Sequence, residues 1–124
     1  MVTTTDYVGT LFDNESNPNK ITVAFTMAVT ALEKDHSASV ILMVDAVHLA
    51  LPKALDSIDI GAPFKPANEL LEAFMEKGGQ VLVCKACMVH NNVDESAIDP
   101  RFGVISADDV VELLMSAKGS LQLN

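Results

Sequence analysis

The segment "QVLVCKACMVH", Gln80 to His90, holds both cysteines of the chain, two residues apart, with a histidine three positions beyond the second. A cysteine acts as nucleophile or metal ligand only as the thiolate, so its ordinary pKa of about 8.5 must fall before it works well near neutral pH. Such a pair serves reversible disulfide chemistry, metal binding or sulfur transfer, or else packs as two small apolar groups. Cys84, Cys87 and His90 give the spacing C-x-x-C-x-x-H, one ligand short of a structural zinc site. No second cysteine pair exists, and His36 and His48 stand alone, so no metal is expected. A thioredoxin-like dithiol would follow the first long strand, whereas this pair comes after two crossover units. A reversible Cys84–Cys87 disulfide stays open.

Charged neighbours decide how reactive these thiols are. If "KACMVHN" opens a short helix, its backbone N–H groups and dipole favour a thiolate at Cys84 or Cys87. Lys85 adds positive charge if its side chain turns inward. Asp45 and His48 follow another apolar run and fall on the same sheet edge as Cys84, which makes them candidate binding residues together with Lys85 and His90. The plainer readings are a helix cap for Asp45 and a packing histidine for His48. His36 lies in a turn on the opposite edge. Asp94, Glu95 and Asp99 form an acidic loop that faces solvent or meets a basic partner.

Positioning these residues requires strands that end at one edge. "ASVILMV", residues 38–44, and "QVLVC" are unbroken apolar runs, the pattern of strands buried on both faces. Residues 6–12 and "RFGVI" are also strand-like, and "SLQL" closes the chain as a last strand. Apolar residues at Ile21, Ala24, Phe25, Ala28 and Leu32 predict a helix from Pro18 to about Lys34. Leu70, Leu71 and Phe74 predict another over Ala67 to Lys77, stopped by Gly78 and Gly79. Ser106 and Asp109 resemble a capping box before a helix that carries Val110, Val111, Leu114 and Ala117 and can be stopped by Gly119. The long segment 45–66 reads as an excursion over the sheet edge or into a partner subunit, with a short helix around Val47 to Leu51 broken by Pro52.

The expected fold is a single α/β domain spanning residues 1–124, with a mostly parallel sheet of about five strands flanked by helices. Seventeen acidic against eight basic residues give a net charge of −9, which disfavours direct nucleic-acid binding. The longest apolar stretch is interrupted by Asp45 and His48 and is too short to span a membrane. Neither a basic region nor a continuous apolar segment opens the chain, so a cytoplasmic protein with reduced thiols is expected.

The order of elements, with "QVLVCKACMVHNN", "RFGVISADDVVELL" and the closing "SLQLN", resembles the DsrE-like family of small sulfur-handling proteins along nearly the whole chain. "ASVILMVDAVHLAL" likewise looks like the family's second strand and the loop after it. The resemblance implies a YchN-like α/β fold and a homo-oligomer, trimer or hexamer. It also implies a sulfur carrier without cofactor that takes sulfane sulfur as a persulfide from a donor protein and passes it to an acceptor protein. The family's carrier, the strand-end cysteine, maps to Cys84, and Cys87 matches a second cysteine of many members, with a resolving or shielding role. The family often has an Arg-Gly pair where this chain has Asn91 and Asn92. Two readings from other classes compete: a small-ligand or protein-binding regulatory module with structural cysteines, and a C-x-x-C thiol-disulfide reductant.

Overall fold

Parallel strands cannot be joined by tight turns, so a chain that alternates buried strands with amphipathic helices must cross over a sheet between each pair. The computed structural model, which describes residues 2–124, has this arrangement. Its elements are β1 (Tyr7–Leu11), α1 (Pro18–Glu33), β2 (Ala38–Leu42), a 3-10 segment (Val44–Ala50), α2 (Ala67–Glu76), β3 (Gln80–Cys84), α3 (Lys85–His90), a 3-10 turn (Glu95–Ala97), β4 (Gly103–Ile105), α4 (Ala107–Ser116) and β5 (Gly119–Leu123). The strands form one sheet in the order β4-β3-β2-β1-β5, and every pairing is parallel. The α/β class, the strand number and the flanking helices agree with the sequence.

The β2 strand sits in the middle, and all five of its residues are buried, as an unbroken apolar run requires. Val40 pairs with Gly9 on one side and Val81 on the other. On one face, Val40, Leu42, Val81 and Val83 lie beneath α1 and α2, whose Phe25 and Phe74 meet edge to face with ring centroids 6.1 Å apart. On the other, Val8, Ile41, Leu82 and Ile105 pack under Val110 and Leu113 of α4.

Two expectations need correction. Of the residues assigned to α4, Ala117 is already extended, just past its end; within the helix Val110 and Leu113 are buried, Val111 is exposed and Leu114 partly covered. Gly119 begins β5 rather than ending the helix. The capping box sets the start of α4: the Ser106 hydroxyl accepts from the Asp109 backbone N–H at 3.3 Å, and the Asp109 carboxylate accepts from the Ser106 N–H at 3.1 Å. With that start, residues three apart face the sheet, and Val111, about 100° further round, does not.

The second correction concerns residues 45–66: the part up to Ile58 packs onto the chain's own main core instead of reaching into a partner subunit, and residues 59–66 stay at the surface. Ala46, Val47, Leu49, Ala50, Leu55 and Ile58 are all buried there. The short helix expected around Val47 to Leu51 is the 3-10 segment Val44–Ala50, and Pro52, Pro63 and Pro66 keep the chain beyond it irregular. Asp99 N–H donates to the Ala50 carbonyl at 2.8 Å, joining this segment to the chain before β4. Arg101, the sole arginine, then links that chain to α2, with Glu72 at 2.9 Å and Asp99 at 2.8 Å.

Two adjacent glycines between α2 and β3 are needed for different reasons. Gly78 has φ +91°, and a Cβ there would meet nothing, whereas a Cβ on Gly79 would run into the ring of buried Phe74. Gly78→Ala is expected to cost about 1 kcal/mol through backbone strain, and Gly79→Ala up to about 3 kcal/mol through overpacking. Urea unfolding of both variants checks the order, and a smaller loss for Gly79→Ala would contradict it. Arg101 holds the Asp99 carboxyl below its ordinary pKa of 3.8, chiefly by hydrogen bonding. A depressed folded-state pKa gives stability that is complete above the unfolded value and is lost as pH falls through the folded one. Arg101→Gln should therefore unfold in acid at higher pH than the parent, as followed by circular dichroism; an unshifted acid midpoint would show the pairing to be without effect.

Candidate functional site at the carboxyl ends of β2 and β3

In a parallel sheet the strands all end at one edge, and that edge is where loops diverge and ligands bind. The β3 strand ends on Cys84, which is buried at 5% exposure, and the neighbouring β2 ends on Leu42, two residues before Val44. Both cysteines are free thiols, and Cys87 is half-buried on α3. The α3 helix has six residues, is anchored by fully buried Met88, and packs against the 3-10 segment Val44–Ala50.

Val44 has φ +54°, a left-handed conformation that β-branched residues rarely adopt. Its side chain is exposed. Asn91 joins this turn to α3: its Nδ2 donates to the Cys87 carbonyl at 2.9 Å and to the Val44 carbonyl at 3.3 Å. Its Oδ1 lies 3.3 Å from His48 Nε2. Val44, Asp45, Ala86, Cys87, His90 and Asn91 enclose an open pocket of about 330 Å³.

Burial pushes the Cys87 thiol up from its ordinary pKa, the Val44 N–H opposes that rise, and hydrogen bonding and charge interaction with Cys84 add to it. The expectation that a helix terminus would lower this thiol therefore fails for Cys87. It sits three residues into a helix of six, where desolvation of the charged form outweighs the few aligned peptide dipoles.

Of the residues named from the sequence, Cys87, Asp45 and His90 line the pocket. His48 stands behind it on Asn91, and Cys84 lies beneath the surface. Lys85 turns away: its ammonium pairs with Glu95, and both side chains are about half exposed. It brings no charge to the thiols, because a partner of opposite sign lies on its outer side. Asp45 is no cap, since Met43 holds that position and Asp45 falls within the first turn. The acidic loop is satisfied internally, Asp94 by Ser96, Glu95 by Lys85 and Asp99 by Arg101. His36 lies at the opposite edge, exposed, with its Nδ1 3.2 Å from Asp6. Among the described residues no three histidine, cysteine or acidic side chains converge as a metal site, and no helix is long and apolar enough to cross a membrane.

Val44 and Asn91 were not singled out from the sequence as site residues. Nothing in the sequence marks a valine for a left-handed turn. The "HNN" after the helix is a polar end signal, but only the fold brings Asn91 to Val44.

Among solved structures, the fold is similar to the crystal structure of the YchN protein from E. coli, with a TM-score of 0.75 at 16% identity, covering 94% of this chain and 97% of that one. No curated protein matches the chain. The family described as DsrE/DsrF-like matches residues 8–122, from the first strand into the last. The chain belongs to the DsrE/DsrF-like family.

Proposed function

We propose that this protein is a sulfur carrier in a relay, holding sulfane sulfur as a persulfide on Cys84 and exchanging it with partner proteins through Cys87. The observation that carries the reading is a pair of free thiols at one strand end, one buried and the other lining a pocket. Cys87 thiolate attacks the outer sulfur of a donor persulfide, the donor thiolate leaves, and Cys87 carries the persulfide. Cys84 thiolate then attacks that outer sulfur, and Cys87 departs as a thiolate. One sulfur atom moves in each step, no net oxidation occurs, and no cofactor takes part. Delivery to an acceptor thiol is the reverse sequence.

The buried position of Cys84 suits storage, since a persulfide there is shielded from water and stray thiols. Asp45 and His90 at the rim are placed to meet the donor's or acceptor's residues beside its cysteine. A homo-oligomer, trimer or hexamer, belongs to the same reading, supported by Val111 and Met115, one turn apart and exposed on α4. A cytoplasmic location fits thiols that must remain reduced between transfers.

The test is mass spectrometry after incubation with polysulfide. The parent protein should gain the mass of one sulfur on the peptide carrying Cys84, Cys84→Ser should gain no lasting load, and Cys87→Ser should load more slowly. Retained loading in Cys84→Ser would overturn the assignment of Cys84. No gain in the parent, with slow alkylation of both thiols, would overturn the carrier reading in favour of a binding module with structural cysteines.

A further inference from the structure

The pocket contains one feature that transfer chemistry alone does not require. Val44 adopts a left-handed conformation that is costly for a β-branched residue and persists only where its surroundings hold it. The surroundings that hold it include Asn91, whose amide uses both donor and acceptor ends: it donates to the Val44 and Cys87 carbonyls and faces His48 Nε2 with its oxygen. The clasp thereby fixes the Val44 backbone relative to Cys87, whose thiolate the Val44 N–H favours over the thiol. The titratable groups around Cys87 are Cys84 at the end of β3, Asp45 and His48 on the 3-10 segment, and His90 on α3. None offers a permanent positive charge, and Lys85 is paired outward. A backbone N–H held in place is thus the chief stabiliser of negative charge on this sulfur.

We propose that Asn91 is a positioning residue that clasps the Val44 turn to α3 and so sets the reactivity of Cys87. The proposal rests on the carrier reading for its purpose, but its test does not depend on sulfur loading. Iodoacetamide labelling is followed across a pH series, with tryptic cleavage after Lys85 placing Cys84 and Cys87 on separate peptides. In Asn91→Ala, Cys87 should label about tenfold more slowly near neutral pH, the loss expected for one hydrogen bond to a charged group, and its pH midpoint should rise. His36→Ala, at the opposite edge of the sheet, should keep the parent midpoint.

Asn91→Leu retains about the same size without charge and cannot donate to either carbonyl, so it should also raise the midpoint. A folded Asn91→Ala with an unchanged or lowered Cys87 midpoint would overturn the proposal, even if its melting temperature fell, because a purely structural clasp affects stability alone. If Asn91→Ala does not fold, the midpoint of Asn91→Leu decides in the same way. A raised midpoint in a protein that takes up no sulfur would uphold the positioning role and reject the carrier reading.

Discussion

Parallel pairing of β2 with β1 and β3 is the constraint on which the rest of this structure depends. A strand paired on both sides and covered on both faces has no solvent-facing side, so its sequence must be apolar throughout or nearly so, and in Ala38–Leu42 only Ser39 is polar. The same pairing directs every strand's carboxyl end to one edge, which brings Leu42 and Cys84 to neighbouring positions although they are far apart in sequence. It also requires crossovers, and their unequal cover produces a thick core under α1 and α2 and a thinner one under α4.

At the carboxyl edge the chain departs from low-energy geometry. Val44 would be more stable in an extended or right-handed conformation, yet the turn is left-handed and solvent reaches its side chain. Burial of Ala46, Val47, Leu49 and Ala50 immediately afterwards offsets this cost, because the 3-10 segment cannot reach the core without a sharp change of direction after β2. Met88 does the same for α3, a helix too short to be stable by itself. The two short elements hold each other across the pocket.

The electrostatics of the thiol pair follow from composition as well as geometry. In a chain of net charge −9, the nearest lysine is drawn to an acidic neighbour, and Lys85 pairs with Glu95 instead of the thiols. Burial and the adjacency of two thiols oppose ionisation of Cys87, which leaves backbone N–H groups as the available counterweight. A thiol whose ionisation is opposed in this way reacts more slowly with solvent oxidants than a freely ionised one.

Much of this was legible in the sequence by itself. Unbroken apolar runs at 38–42 and 80–84, helical spacing at 21–32 and the Ser106–Asp109 box are local signals, and each local preference agrees with the fold that uses it. The cysteine at a strand end was legible for the same reason. Only the tertiary structure decided the rest, because it depends on which residues meet across the sheet edge. The depth to which each α4 residue is covered was set by a thin second core, the path of residues 44–58 by burial against the main core, and the outward turn of Lys85 by a glutamate ten positions on. The Val44 turn and its clasp by Asn91, 47 residues apart, exist only where β2 and β3 end side by side, and no local preference of valine or asparagine encodes that meeting.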